Sequence, residues 1–501
     1  MNPSRQTAIH DRRRQDWRYG HIIYQVFLDR FEPSTRLAAK AEHYQSPRRL
    51  RGWDELPERG EYLEAERNSR QELDFWGGDL DSFLTRVGYL KDLGVEVVYF
   101  NPIFEAFTNH KYDASDYTRV DPQYGTNAEL KLVVQELHAK GMRLLLDGVF
   151  NHMGRRAPSF QKALATGEGR DFFAIGDHYR NGYRGWRNVR NLPELNLEDP
   201  AVRDRLWRAP DSIVRRYLGE YGIDGWRLDV APDVGFEYLA ELTASAHHER
   251  PDSVVIGECW NYPEEWLDSV DGIMNMHART IAVEMVNGRM KPSVAMRSFE
   301  RMVDDGGQEG LLRCHFVLDN HDLPRLRHVM PDDRKRAMLR FLQFVLPGCP
   351  VIYYGSELGM EGGHDPLNRA PMRWDLLRDD NTELAWVRQL VALRQANPAL
   401  RTGDFRSLEA DRLFAFLRVT DRARETLLVL ANPSDEPLTE VVQIRDSRWM
   451  DAAPVVCQLT GKQAVVHCGL VEETIGPWEV RVYRTMDQGI TDGYSMFKRV
   501  P

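Results

Sequence analysis

Short apolar runs rich in β-branched residues recur along the chain, and stretches with a helical period lie between most of them. The apolar runs are IIYQVFLDRF (22–31), VEVVYFNP (95–102), RLLLDGVF (143–150), GWRLDV (225–230), VVIGEC (254–259), GIMNM (272–276), CHFVLDNHD (314–322) and CPVIYYGSE (349–357). A strand that stays apolar on both faces is covered on both sides, as in a parallel sheet flanked by helices. The helical patterns LDSFLTRVGYLKDLG, AELKLVVQELHAKG, PAVRDRLWRAPDSIVRRYLGEYG and DRKRAMLRFLQFVL precede the second, third, fourth and eighth runs. Repeated βα units over roughly 350 residues predict an α/β fold, a (β/α)8 TIM barrel. A doubly wound open sheet is the alternative. Such a sheet usually carries a Gly-rich phosphate turn after its first strand, and GxGxxG is absent here.

Two connections are too long for simple βα turns. The segment 32–74 follows the first strand, is rich in Arg and Glu, and reads as a mobile loop over the barrel mouth. The segment 153–196, after the third strand, reads as a small inserted subdomain. After residue 400 the pattern changes to alternating runs separated by turn residues: LFAFLRV, TLLVLANP, TEVVQIR, PVVCQLT, QAVVHC and WEVRVYR. These predict an all-β C-terminal sandwich. The expected organisation is a barrel in two parts, 1–152 and 197–400, split by the subdomain 153–196. A β-sandwich at 401–487 and a tail at 488–501 follow.

Composition narrows the class. The chain has 501 residues, 42% of them apolar, enough for a sizeable core. A net charge of -10 with scattered Lys and Arg argues against a nucleic-acid surface. No uninterrupted apolar run is long enough for a transmembrane helix, and the N-terminus has no apolar signal-peptide core. The five cysteines are sparse and form no CxxC pair, so a cytoplasmic enzyme without a disulfide framework is expected.

GWRLDVA (225–231) raises a question of chemistry. In a strand, Arg227 and Asp229 share one face, and Trp226 and Leu228 take the other. Burying both charges is expensive unless they are paired. The pair reads equally as a structural ion pair or as a catalytic carboxylate held ionised by its Arg. In a TIM barrel, chemistry sits at the C-terminal ends of strands. Those ends carry Asp147, Asn151 and His152, then Arg227 and Asp229, then Glu258, then Asp319, Asn320, His321 and Asp322, and finally Glu357. A single Asp at a strand end reads more simply as a helix N-cap. Three carboxylates, Asp229, Glu258 and Asp322, on three strands that converge on one mouth do not. Paired carboxylates with His and Arg, and no Cys/His metal spacing, point to glycoside hydrolysis.

The motifs DGVFNH (147–152), GWRLDVA (225–231), GECW (257–260) and FVLDNHD (316–322), in this order, resemble the α-amylase superfamily, glycoside hydrolase family 13. LPELN (192–196), FWGGDLDSF and VIYYGSELGMEGGHDPLNRAPMRWD resemble its cyclomaltodextrinase, neopullulanase and maltogenic amylase subfamily, with the oligo-1,6-glucosidase branch next. The resemblance implies a retaining hydrolase of α-1,4 bonds, with α-1,6 bonds as a further option, in short or cyclic malto-oligosaccharides. Asp229 is then the nucleophile, Glu258 the acid and base, and Asp322 the binder of sugar hydroxyls. It further implies that Arg227 holds Asp229 ionised, that His152 and His321 bond the same sugar, and that Tyr112 stacks beneath it. Asp365 and Arg369 line the adjoining subsite. Asp147 reads equally as a brace for Arg227 or as part of the chemistry. Trp260 reads equally as a stacking platform for the acceptor sugar or as a packing residue.

Departures from the subfamily matter. The first barrel strand arrives by residue 22, so the usual N-terminal β domain is expected to be absent. A monomer, or a homodimer through a non-standard interface, follows, with 32–74 as a substitute roof. The loop DRFEPSTRLAAK lacks the Asn and Asp of a calcium site, so no metal and no cofactor are expected. Ala231, Pro232 and Asp233 stand where Ala-Asn-Glu is usual, which leaves bond preference open. The competing readings are a transglucosidase, isomerase or phosphorylase on the same scaffold, and a catalytically dead barrel acting as a binding module. The three intact carboxylates argue against the last.

Overall fold

The structure, a computed structural model, describes residues 3–486 and 495–500, so the expected tail 488–501 lies partly outside the described residues. Eight parallel strands close into a barrel: β1 (Ile23–Val26), β2 (Val97–Phe100), β3 (Arg143–Gly148), β4 (Gly225–Leu228), β5 (Val254–Cys259), β6 (Gly272–Asn275), β7 (His315–Val317) and β8 (Cys349–Tyr353). Each pairs with its sequence neighbours, and β1 closes the ring against β8. The barrel predicted from the apolar runs is therefore present, with every strand except β5 ending earlier than the run that announced it.

Alternation along the strands sorts side chains into two cores. Ile23, Val97, Leu145, Ile256, Met274 and Val351 fill the barrel interior. Tyr24, Val98, Leu146, Trp226, Leu228 and Val255 face out against the helices. Burying Leu228 completely contributes about 2 kcal/mol. The interior positions turn polar toward the C-terminal ends: Gln25, Tyr99, Asp147, Arg227 and Glu258 lie on the inward parity of their strands. Gly225 opens β4 because a Cβ there would lie 2.1 Å from the Val254 carbonyl oxygen.

Helices cover the barrel as the periodicity predicts. Asn127–Ala139 starts with a capping box from Thr126 and Glu129, and Asp332 caps Asp333–Val345. The helical pattern before β4 is interrupted. It splits into 200–208 and 213–221, because Ala209 takes the extended backbone favoured before Pro210.

The segment 32–74 is ordered substructure rather than the expected mobile loop. It contains a 3-10 turn (Leu37–Tyr44) and two short strand pairings. Ion pairs fix it: Lys40 to Asp79 at 2.7 Å, Arg49 to Asp74 at 2.7 Å and Arg86 to Glu32 at 2.7 Å. The inserted subdomain after β3 is joined to the barrel by bridges that include His152–Glu194 and Phe173–Leu195.

The C-terminal domain is all antiparallel, with a six-stranded sheet and a facing pair, Leu438–Gln443 with Leu470–Ile475. Leu417, Leu428, Val442, Val471 and Tyr483 form its common core. A helix not foreseen in the sequence, Pro3–Gln15, clamps onto it. Arg13 there bonds Asp404 at 2.7 Å and the Thr402 carbonyl at 2.9 Å. No helix among the described residues is long and apolar enough to cross a membrane.

Candidate active site

The site begins with the register of three strands. Arg227 on β4 pairs across to Asp147 on β3 and Ile256 on β5, so its side chain rises between the last inward residues of both neighbours. It is fully buried. Arg227 Nη1 donates to Asp147 Oδ1 at 2.7 Å and Oδ2 at 2.9 Å, and to Asp229 Oδ1 at 3.1 Å. Its Nη2 lies 2.9 Å from Glu258 Oε2, off the hydrogen-bond axis. One guanidinium thus gathers three carboxylates. Asp229 stands just past the end of β4. The chain then turns through Val230 at φ 42°, a left-handed conformation that a β-branched residue adopts only under strain. This turn holds Asp229 at the mouth and aims the Val230 N–H at Glu258 Oε2, 3.1 Å away. Trp260 Nε1 donates to the other oxygen, Glu258 Oε1, at 3.1 Å.

A second ring of hydrogen bonds supports the first. Tyr99 and Tyr112 hydroxyls donate to Asp147 Oδ2 at 2.6 Å and 2.8 Å. Asn101 donates to the Tyr112 hydroxyl at 3.1 Å. Gln25 Nε2 donates to His321 Nδ1 at 3.0 Å, which leaves the ring proton on Nε2, facing Tyr112 Oη at 2.6 Å and Asp322 at 3.1 Å. Across the mouth, Arg369 approaches Asp322 at 3.5 Å and Asp365 at 3.2 Å, and donates to the His321 carbonyl at 2.9 Å.

Burial governs the electrostatics. It pushes the Asp229 carboxyl well above the usual carboxylate range. The Glu258 charge adds to this and Arg227 opposes it. Burial also raises Asp147 against the pull of Arg227. Asp147 and Asp229 face one guanidinium nitrogen, and both carboxyls hold a proton more tightly than isolated acids do. Burial lowers His152 to about 3, and burial with Arg369 drives His321 well below its usual value. Both imidazoles are neutral at neutral pH, able to donate or accept toward hydroxyl groups. His152 Nε2 is buried with no hydrogen-bond partner in the protein. Among the described residues, no group of three or more His, Cys, Asp or Glu side chains is arranged to hold a metal ion.

Most residues singled out in the sequence meet here. Asp229, Glu258, Asp147, Arg227, Tyr112, His321, Asp322, Arg369 and Asp365 form one linked cluster, with Trp260 at its rim, 51% exposed. Tyr112 lies face to face with His321, ring centroids 5.3 Å apart and 8° between planes. Other strand-end residues serve the scaffold. Glu357 is turned away from the mouth, fully buried, and accepts from the Tyr24 and Tyr89 hydroxyls at 2.8 Å and 2.7 Å. Asp319 caps the turn at Leu326, and Asn320 accepts from the backbone of Asp322 and Leu323.

Sequence reasoning missed Tyr99, Gln25, Asn101 and Trp186. The first three are polar residues on the inward parity of β1 and β2 or just beyond, and that parity was the signal. Trp186, from the inserted subdomain, stacks on His152 at 5.6 Å and donates to Asp233 at 3.1 Å. It follows no strand pattern.

The comparisons agree with this arrangement. Residues 25–403 match the family model for the α-amylase catalytic domain. A cyclomaltodextrinase of Bacillus sp. is 36% identical over 385 residues, 72% of this chain and 66% of that protein. A cyclomaltodextrinase of Geobacillus thermopakistaniensis is 31% identical over 493 residues, 93% of this chain and 77% of that protein. The chain thus spans about two thirds to three quarters of these relatives' length. Among solved structures, the ligand-free cyclic α-maltosyl-(1→6)-maltose hydrolase of Arthrobacter globiformis superposes with a TM-score of 0.78 at 25% identity, covering 94% of this chain and 99% of that one. Fold, motif order and the buried carboxylate cluster converge on one assignment: the chain belongs to the α-amylase family, on the branch of cyclomaltodextrinases, neopullulanases and maltogenic amylases.

Proposed function

We propose that this chain is a retaining α-glucoside hydrolase of short or cyclic malto-oligosaccharides, cleaving α-1,4 and, in suitable rings, α-1,6 bonds. One observation carries the reading: Asp229 and Glu258 sit at the ends of adjacent strands against adjacent nitrogens of Arg227. Sharing one guanidinium keeps two carboxyls close, which suits the roughly 5–5.5 Å separation of retaining enzymes rather than the wider gap that admits a water.

In this reading Asp229 attacks the anomeric carbon while Glu258 gives its proton to the leaving glycosidic oxygen. Glu258, now ionised, takes a proton from water, and that water displaces Asp229 and regenerates both groups. Burial and the Glu258 charge raise the Asp229 carboxyl, and Arg227 opposes them, favouring the ionised form that a nucleophile needs. Arg227 favours the ionised partner, and Trp260 and Val230 hold the Glu258 oxygens in place. Asp322, His321 and His152 bind hydroxyls of the reacting sugar, and bonds that tighten as the ring distorts accelerate the step. Arg369 and Asp365 extend the site on the glycone side. The substrate class draws support from the relatives, named for cyclodextrin and cyclic maltosyl-maltose hydrolysis. A reducing, cytoplasmic compartment fits the five free cysteines.

The test is initial rates on cyclodextrin, cyclic maltosyl-maltose, maltotriose, pullulan and starch, with products resolved by chromatography. Rings are expected to be cleaved faster than starch, and Glu258→Gln to lose about 10³-fold in rate. Faster starch turnover, or products longer than the substrate, would contradict the reading.

A further inference from the structure

The cluster above leaves unused a cavity of about 300 Å³ between the tip of the segment 32–74 and the inserted subdomain. Tyr62, Asn68 and Glu72 line it from the tip, Val189 and Asn191 from the subdomain, and His110 from the loop after β2. Two physical features set it apart. Tyr62 is 54% exposed and Val189 41% exposed, apolar surfaces left open at the rim of an otherwise polar hollow. An open aromatic face beside carboxylate, amide and imidazole groups is what a pyranose ring recognises, C–H face on the ring and hydroxyls on the polar groups.

The tip is built to hold this shape. Tyr62–Leu63 and Asn68–Ser69 form a small hairpin whose turn closes through Arg67 at φ 56°. Glu72 caps the hairpin's end by accepting from the Ser69 N–H. Beneath it, Asn109 bonds the Glu72 carbonyl at 2.8 Å and the Gln71 carbonyl at 2.7 Å, so the hairpin rests on the loop after β2. Its outer end is latched to the inserted subdomain: Glu66 pairs with Arg156, and the Arg67 carbonyl accepts from the Asn191 side chain. Arg156 is itself fixed over the Phe107 ring at 3.6 Å.

His110 joins this cavity to the catalytic mouth. It lies 3.6 Å from Glu72 on the cavity side, and its ring is 5.9 Å from Tyr112. A sugar seated over Tyr112 therefore has the cavity as a neighbour, separated by one imidazole. We propose that the cavity is a sugar-binding subsite that takes a glucosyl unit remote from the cleaved bond. The latch makes it a bent path, which suits a cyclic or α-1,6-kinked oligosaccharide rather than an extended chain. This inference rests on the glycosidase reading above.

The experiment compares wild type, Tyr62→Ala and Tyr62→Phe on cyclic maltosyl-maltose and on p-nitrophenyl α-maltoside, a substrate too short to span both the mouth and the cavity. Tyr62 is exposed, so thermal melts are expected to be unchanged and to exclude misfolding. The expected result is that Tyr62→Ala lowers kcat/KM on the ring about tenfold, mainly through KM. Its rate on the short substrate stays within twofold of wild type, and Tyr62→Phe restores the ring activity. Equal loss on both substrates, or no loss on either, overturns the proposal. A wild type inactive on both substrates would instead overturn the glycosidase reading, so the two failures are distinguishable.

Discussion

Asp147 is the sharpest point at which to perturb the cluster, because it takes Arg227's shortest bond and sits where no substrate atom need reach it. Replacing it with Asn keeps the size and one acceptor oxygen but removes the charge. The oxygens of Asp147 and Asp229 bond the same Arg227 nitrogen, at 2.7 Å and 3.1 Å. They therefore lie within about 6 Å of each other. At an effective dielectric of about 20, one charge at that separation is worth about 3 kcal/mol, or about two pH units. The Asp147 charge raises the Asp229 carboxyl, so its removal lowers it, and Arg227, freed toward Asp229, pulls the same way. The acid limb of kcat/KM for Asp147→Asn is thus expected one to two pH units below that of wild type. Stability should fall by about 3 kcal/mol, at the low end of the cost of breaking a buried pair, since Arg227 keeps two carboxylate partners. The assays are a pH–rate profile on a ring substrate and urea unfolding at fixed pH. An acid limb that stays put, or moves upward, would refute the electrostatic account and leave Asp147 as a brace alone.

Other outcomes follow from the same geometry. Tyr99→Phe deletes the 2.6 Å bond to Asp147, and the loss of one buried bond to a charged group should cost about 2 kcal/mol in urea unfolding, with less than a tenfold drop in kcat. His315, lowered to about 3 by burial, is neutral in the fold but protonates when unfolded below about pH 6.5. Its share of stability is therefore whole above that pH and declines as pH falls toward 3. His315→Gln should remove this slope, so the stability difference between wild type and variant should change by about 1.4 kcal/mol per pH unit across that window; parallel curves would exclude it.

What could be read from sequence was what burial enforces. The barrel strands are covered on both faces, so each shows as a near-continuous apolar run, and charges at their ends stand out. Arg227 and Asp229 were legible as a same-face pair. That Arg227 also reaches Asp147 and Glu258 depended on strand register, which no local pattern carries. Leu470–Ile475 escaped notice because it is half exposed and carries Glu472 and Glu473. The helix Pro3–Gln15 has almost no apolar face and is held by Arg13 through ion pairs, so periodicity could not reveal it. The tip of 32–74 reads as a charged loop, yet those charges fix it: Glu66 and Arg156 are far apart in sequence and meet only in the fold.

The most direct test of the central claim is the anomeric form of the first product. Ring opening of cyclic maltosyl-maltose, followed by proton NMR in the first minutes before mutarotation, reports which face of the anomeric carbon water attacks. Double displacement through Asp229 is expected to release the α-anomer first, with Asp229→Asn inactive. A β-anomer as the initial product would mean direct attack by water, and would contradict Asp229 as nucleophile.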